Sequence, residues 1–283
     1  MTRRFGFNGA TTGSVDLLTD LRVAEETGYA ALEIRDAKLE KYLEGGGSLQ
    51  RLRRMFADAG IQALSLNALG RATPAAGAAR EAVLDRCRRL CAWAAEIGCR
   101  YVVAVPGPLD GADPQTIQQA SVETLRAMAA IARDHGVRIG FEFLGFHDCS
   151  VNTLRAARAI VEEVADPAVG LVIDAFHYYV GGSTWEMLDG LDHRSLFIVH
   201  LDDAEDRPRE HLTDAHRLLP GEGVIPLRPL LRRLEALGYD GVYSVELFRP
   251  EYWTWEPLHL ARVARERLDA LFAALDAARG SGP

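Results

Sequence analysis

The chain has 283 residues, of which 48% are hydrophobic and 25% charged, and these proportions are ordinary for a globular protein with a sizeable core. The 40 acidic and 32 basic residues give a net charge of −8, which argues against a nucleic-acid partner because phosphate binding needs a basic surface. No apolar run approaches the ~20 residues that cross a bilayer, and no apolar segment follows Arg3 and Arg4 as in a secretory signal. We therefore predict a cytoplasmic protein with no membrane partner.

Two residue types limit the chemistry. The only lysines, Lys38 and Lys41, stand in a polar stretch from Asp36 to Gly47 that we interpret as a loop. Schiff-base chemistry needs a buried lysine, so lysine aldolases and pyridoxal-phosphate enzymes are disfavoured. The cysteines form no Cys-x-x-Cys pair and are typical of small buried side chains in a reducing compartment. They are Cys87, Cys91, Cys99 and Cys149.

Short apolar segments typical of buried strands alternate with amphipathic helical segments along the chain. The helical segments include Ala79–Ile97 and a leucine run from Leu227 to Leu237 with apolar residues every third or fourth position. Glycines such as Gly28 and Gly98 follow a helical segment and precede a strand, which is typical of a helix C-terminus. The predicted strands are Arg4–Asn8, Ala30–Arg35, Ile61–Asn67, Tyr101–Val105, Val137–Phe143, Val169–Asp174, Leu196–Asp202 and Gly241–Leu247.

Strands that alternate with helices indicate parallel βαβ units, and eight such units in ~250 residues are typical of a (β/α)8 TIM barrel. An open doubly wound sheet is the alternative. The first strand-to-helix turn, Asn8 to Gly13, lacks the Gly-x-Gly-x-x-Gly spacing of a dinucleotide-binding turn. Gly45–Gly47 is too short to separate domains and is interpreted as a strand-to-helix loop. We therefore predict a single α/β domain over residues 1–283.

Ionisable residues stand at the ends of the last four predicted strands, where TIM barrels carry their active sites. A carboxylate in an apolar strand is costly unless it is paired or binds a cation. Because side chains alternate along a strand, Ser244 shares a face with Glu246, and Ile198 shares one with His200 and Asp202. Inward-facing residues of neighbouring strands converge on the barrel axis. The four strand-end residues are Glu142, Asp174, His200 and Glu246.

Three carboxylates and one imidazole around a point form a site for one divalent cation. This donor set suits Mn²⁺, Zn²⁺, Co²⁺ or Mg²⁺, and donor type alone does not choose among them. Taken singly, each residue has a simpler interpretation as a helix cap, an arginine partner or a core histidine. The set of four in one barrel favours metal binding.

At these residues the sequence resembles the xylose-isomerase-like sugar isomerase and epimerase superfamily, a set of metal-dependent TIM barrels. The stretch Asp174-Ala175-Phe176-His177 is similar to the Asp-x-x-His motif of the family, which implies that His177 contacts substrate. Arg217 stands ahead of the turn Pro220–Gly223, as does an arginine that holds substrate oxygens in related epimerases. A surface histidine and a solvated loop arginine are the alternatives. The resemblance implies as metal ligands Glu142, Asp174, His200 and Glu246.

Within the superfamily, the stretches Phe5–Asn8, Asp202–Asp206 and Ser244–Tyr252 resemble the inosose isomerase subgroup. The resemblance implies an unphosphorylated keto-polyol or ketose as substrate, most closely 2-keto-myo-inositol, isomerised in carbohydrate metabolism through an enediolate that the metal stabilises. It also implies that Glu142 and Glu246 carry out the acid–base work.

Several alternatives stay open at this stage. A dehydratase of inosose or 3-dehydroshikimate type and a ketose 3-epimerase would use the same enediolate, and a non-catalytic sugar-binding subunit would use the same site. The long connection Asp203–Ile225 is interpreted as a pocket wall or lid. Trp253 and Trp255 could cover the pocket mouth, pack internally or form a homodimer interface; the sequence does not indicate the oligomeric state.

Overall fold

A computed structural model describes residues 3–73, 76–108 and 111–280. Eight parallel strands form a closed ring in the order β1–β8–β7–β6–β5–β4–β3–β2. The predicted (β/α)8 TIM barrel is therefore confirmed, and the open doubly wound sheet is wrong. One domain over all of residues 1–283 stays a prediction. The barrel strands are β1 Arg4–Asn8, β2 Ala31–Arg35, β3 Gln62–Leu69, β4 Tyr101–Ala104, β5 Arg138–Glu142, β6 Val169–Asp174, β7 Leu196–Leu201 and β8 Val242–Val245.

At several helix N-termini, a side chain accepts a hydrogen bond from a backbone N–H group and so fixes where the helix begins. Asp16 accepts from Thr19, and Ser48 accepts from Arg51. Gly98 ends the fourth helix in the left-handed conformation with φ 95°, as its position in the sequence predicts. The helices are α1 Leu17–Glu26, α2 Asp36–Glu44, α3 Leu49–Asp58, α4 Gly77–Ile97, α5 Pro114–Asp134, α6 Leu154–Val164, α7 Ala175–Val180, α8 Leu227–Ala236 and α9 Pro257–Gly280.

The barrel interior has an apolar layer, here called the barrel floor, at the N-terminal side of the strands. Because side chains alternate along a strand, the next inward residue lies two positions further on: Ile198 precedes His200, and Ala31 precedes Glu33. The floor excludes water from below, so polar groups in the layer above it must pair with one another or bind a ligand. The barrel floor consists of Ala31, Leu64, Tyr101, Val103, Val172, Phe197, Ile198 and Val242.

The lysine-containing stretch is helical, and its interpretation as a loop is wrong. Helix α2 starts directly after β2 and contains Lys38, whose Nζ donates to the Asp20 carboxylate at 2.7 Å and to the carbonyl oxygens of Gly9 and Thr12, each at 2.8 Å. These acceptors compensate for burying the ammonium group, which a count of polar residues does not reveal. Gly45–Gly47 consequently joins two helices and is not a strand-to-helix loop.

Two further observations concern the cysteines and the apolar character of the helices. All four cysteines are buried and free, as predicted. Among the described residues, no helix combines the length and the apolar character that a membrane span requires.

Candidate metal centre and active site

Four ionisable side chains meet at the C-terminal ends of β5 to β8. Nδ1 of His200 lies 3.0 Å from Oε1 of Glu142 and 3.2 Å from Oε2 of Glu246. Oδ2 of Asp174 is 3.8 Å from the same nitrogen. All four residues are buried, and one potential ligand atom from each lies within 4.8 Å of the others. The structure therefore brings together the four residues that the sequence marks at the strand ends.

A single divalent cation fits among these atoms. Metal–ligand bonds of about 2.0–2.2 Å place two ligand atoms on opposite sides of an ion at most ~4.4 Å apart. The observed limit of 4.8 Å requires the side chains to move inward by only tenths of an ångström. Three carboxylates and one imidazole supply the oxygen and nitrogen donors that Zn²⁺, Mn²⁺, Co²⁺ and Mg²⁺ accept, so the geometry supports a divalent metal without selecting one.

The strand register explains how the sequence converges here. Asp174 at the end of β6 is paired with His200 on β7, and His200 is paired with Ser244 on β8. Asp174 also begins helix α7, because its Oδ1 accepts the backbone N–H of His177 at 3.0 Å. One carboxylate thus caps a helix with one oxygen and presents the other to the cluster. The helix-cap interpretation and the metal-ligand interpretation are compatible in this residue.

Without a cation, the cluster retains protons. Burial, together with the charges of Glu246 and Asp174, raises the pKa of Glu142 to about 7. Burial alone would lower the pKa of His200, but neighbouring carboxylates, those of Glu246 and Glu33 foremost, raise it well above its ordinary value. A protonated His200 therefore supplies a positive charge among these carboxylates, in addition to that of Arg217, when no metal is present.

Arg217 lies inside the site, and its alternative interpretation as a solvated loop residue is wrong. Its side chain is 1% exposed, and its Nη1 lies 2.5 Å from Oδ2 of Asp174 and also contacts the Asp202 carboxylate. Its Nη2 lies 3.0 Å from Nε2 of His177. The guanidinium outweighs the effect of burial and holds the pKa of Asp174 below its usual range. Arg217 therefore links a strand-end carboxylate to the histidine of the Asp-x-x-His motif.

His177 is buried in the first turn of α7, so the surface alternative is wrong for this residue as well. Its ring packs edge-on against Phe146, with centroids 5.0 Å apart. Burial lowers its pKa, which favours the neutral imidazole. Its Nδ1 has no hydrogen-bond partner among the described residues, which leaves one ring nitrogen for a ligand.

The connection Asp203–Ile225 carries Arg217 into the site. Asp203–Ala204 and Arg217–Leu218 form a short antiparallel ribbon at its base. At the other end of the connection, the buried Asp203 carboxylate accepts hydrogen bonds from the backbone N–H groups of Gly221 at 3.1 Å and Ile225 at 2.8 Å. The connection is therefore fixed at both ends and forms part of the wall of the site.

Trp253 and Trp255, which follow β8, both pack against other residues of the chain. Nε1 of Trp253 donates to the carbonyl of Ala10 at 3.0 Å, and a Cβ at Gly13 would meet the Trp253 ring at 2.6 Å. Trp255 packs against Tyr252, with ring centroids 5.0 Å apart. Trp253 thus supports the turn that follows β1.

Sequence reasoning missed several polar residues around the cluster. Oε1 of Glu33 lies 3.0 Å from Nε2 of His200, and Nδ2 of Asn8 donates to Oε1 of Glu246 at 2.8 Å. Asn67 donates to the same oxygen at 3.3 Å. Asp202 was placed on the inward face but not assigned to the site. The signal was available for Glu33, because it interrupts an apolar strand in the same way as the four strand-end residues.

The fold and site define a class of protein: a (β/α)8 barrel with a buried cluster of carboxylates and one histidine at the C-terminal ends of its strands. The sequence profile of the xylose isomerase-like TIM barrel family matches residues 21–273. The chain belongs to this family, which confirms the resemblance seen in its motifs.

Relatives place the chain more closely within the family. It is 37% identical to the inosose isomerase of Bacillus velezensis over 94% of this chain and 95% of that protein. It superimposes on the crystal structure of the IolI protein with a bound zinc atom with a TM-score of 0.93, at 36% identity over 96% of this chain and 99% of that chain. A 3-dehydroshikimate dehydratase of Pseudomonas putida is 29% identical over 81% of this chain and 35% of that protein.

Proposed function

We propose that this protein is a divalent-metal-dependent isomerase of an unphosphorylated keto-polyol, with 2-keto-myo-inositol (inosose) as its substrate. The observation that carries the proposal is the buried cluster, in which two glutamates flank Nδ1 of one histidine above an apolar barrel floor. Inosose isomerases that are 36% to 39% identical over most of the chain support the substrate. The proposed ligands are Glu142, Asp174, His200 and Glu246.

The zinc atom in the similar IolI structure supports Zn²⁺ at this site, and Mn²⁺, Co²⁺ and Mg²⁺ are compatible with the same donors. A bound divalent cation would supply Lewis acidity to the ketone oxygen and its neighbouring hydroxyl.

Isomerisation moves the ketone to the adjacent carbon. One proton leaves the hydroxyl-bearing carbon and one is added to the former carbonyl carbon, while the hydroxyl oxygen loses its proton and the former carbonyl oxygen gains one. Glu142 and Glu246 are the proposed acid–base residues. With a cation bound, Glu142 would be an ionised carboxylate, which is the form that a general base needs. Glu246 has one oxygen fixed by the Asn8 amide at 2.8 Å, so its other oxygen is held in a defined direction. Each carboxylate would take or return a proton at a defined atom.

His177 and Arg217 are the proposed substrate-binding residues. The unpartnered Nδ1 of His177 supports a hydrogen bond to a substrate oxygen. Arg217 holds Nε2 of the same ring at 3.0 Å, and an arginine can only donate. Nε2 is therefore the acceptor, so the neutral ring carries its proton on Nδ1. Arg217 would thus orient His177 as well as attract substrate oxygens.

The test is proton NMR of 2-keto-myo-inositol in D₂O with protein loaded with Zn²⁺, Mn²⁺, Co²⁺ or Mg²⁺, and with metal-free protein as the matched control. Exchange of a proton next to the ketone, together with a second inosose isomer, is the expected result. Exchange with loss of water would replace the isomerase by a dehydratase. No exchange with any of the four metals would contradict catalysis on this substrate and favour the sugar-binding alternative.

A cytoplasmic location and a role in inositol catabolism complete the proposal. The relatives support the role in inositol catabolism through their substrate class. The free cysteines support the cytoplasmic location, because they favour a reducing compartment.

A further inference from the structure

Glu33 is a fully buried carboxylate on β2, on the opposite side of the barrel from the strands that carry the four proposed ligands. Its neighbours Leu32 and Ile34 face the helices and belong to the outer core, so Glu33 points into the barrel. A buried carboxylate is costly unless a cation or hydrogen-bond donors compensate for it. The role of Glu33 is therefore defined by what it contacts.

Contacts with His200 and Ser65 are among those that compensate for the burial of Glu33. Its Oε1 lies 3.0 Å from Nε2 of His200, and its Oε2 lies 3.3 Å from the same nitrogen in hydrogen-bond geometry. The hydroxyl of Ser65, its register partner on β3, donates to Oε2 at 2.8 Å. The serine thus fixes the carboxylate, and the carboxylate faces the histidine.

We infer that Glu33 is a positioning residue that makes His200 a metal ligand through Nδ1; the inference rests on the proposed metal centre. A carboxylate against Nε2 requires the ring proton to be on Nε2. Nδ1 then keeps its lone pair for a cation, and Nδ1 is the nitrogen that faces Glu142 at 3.0 Å and Glu246 at 3.2 Å. Partners of this kind fix the tautomer and orientation of a ligating histidine, and their loss typically weakens metal binding 10- to 100-fold.

Two substitutions of Glu33 distinguish a hydrogen-bond acceptor for His200 from a negative charge near it. In E33Q, the amide oxygen can still accept from Nε2–H, whereas E33L removes the acceptor and keeps a side chain of similar size. Ser65→Ala is the matched control, because it removes the neighbouring hydrogen bond and leaves the carboxylate against His200.

The experiment measures zinc affinity by competition with a chelator for the wild type, E33L, E33Q and S65A, with the thermal unfolding of each metal-free protein as a check on folding. We expect E33L to bind zinc about 10- to 100-fold more weakly, and E33Q and S65A to stay within about tenfold of the wild type. Nitrogen-15 NMR of the zinc-loaded wild type should show the His200 proton on Nε2.

Three results would overturn the inference: unchanged zinc affinity in E33L, equal losses in E33L and E33Q, or a His200 proton on Nδ1 in the zinc-loaded protein. If E33L does not fold, E33Q and the tautomer measurement decide. A wild-type protein that binds no zinc would instead refute the metal centre itself, so the two failures are distinguishable.

Discussion

The metal affinity of this site should depend steeply on pH, because the cation must displace protons that the metal-free cluster holds. Each such proton weakens the apparent affinity tenfold for every pH unit below the pKa of its group. His200 keeps its proton well above its ordinary pKa, and Glu142 releases its proton at about pH 7. Zinc binding should therefore release more protons at pH 6, where both groups are protonated, than at pH 8, where Glu142 has already lost its proton.

The magnitude follows from these two groups. Between pH 6 and pH 8, deprotonation of Glu142 contributes about tenfold, and the raised pKa of His200 adds a contribution of the same sign, so zinc should bind more than tenfold more tightly at pH 8. In E142Q, the amide does not titrate, so the increase in affinity from pH 6 to pH 8 should be about tenfold smaller than in the wild type, although binding is weaker at every pH. Chelator competition measures the affinities, and calorimetry in buffers of different ionisation enthalpy counts the protons.

Two results would refute this reasoning. A wild-type affinity that changes less than tenfold over the range would show that the metal-free cluster does not hold the protons. An E142Q affinity with the same steepness as the wild type would show that the second proton belongs to another group.

Three further perturbations have defined outcomes. K38M should lose about 3–5 kcal/mol of unfolding free energy, measured in urea, because it leaves Asp20 buried without its cation. The double variant D20N/K38M should lose less than half as much, and equal losses in the two variants would contradict the pairing. E246Q should keep its fold by circular dichroism but lose at least about a hundredfold in the rate of inosose proton exchange, and an unchanged rate would exclude Glu246 from acid–base catalysis. R217M should destabilise the metal-free protein by about 3–5 kcal/mol, since Asp174 and Asp202 share this guanidinium, and a change below 1 kcal/mol would show that the contacts do not stabilise the fold.

The barrel could be predicted because its signals are local. Each predicted strand overlaps an observed one, and β1 and β6 match residue for residue, since apolar runs bounded by glycine and polar turns reflect burial directly. Most strand ends that differ are one or two residues shorter than predicted, as in β4 and β8, whereas β3 continues as hydrogen-bonded backbone beyond the predicted end to Leu69. The helix Asp36–Glu44 lies in a polar stretch with only three large apolar residues, Leu39, Tyr42 and Leu43, and the burial of Lys38 within it depends on a long-range pair with Asp20.

The candidate site likewise contains residues that local sequence patterns reveal and residues that they do not. The strand-end carboxylates and His200 could be found because alternation places them on the inward face of consecutive strands. Asn8 on β1 and Glu33 on β2 come from the start of the chain and reach the cluster only because the barrel closes between β1 and β8. Arg217 comes from a connection whose path depends on the Asp203 carboxylate and on a two-residue ribbon. Chain closure and loop paths are properties of the folded molecule, and local sequence patterns do not encode them.

Anomalous diffraction from crystals of the protein grown with Zn²⁺ tests the central claim most directly. We expect one zinc peak per chain, bonded to Nδ1 of His200 at about 2.0–2.1 Å and to oxygens of Glu142, Asp174 and Glu246 at about 2.0–2.2 Å. The absence of a peak within this cluster, or a peak bonded to Nε2 of His200 on the Glu33 side, would contradict the account.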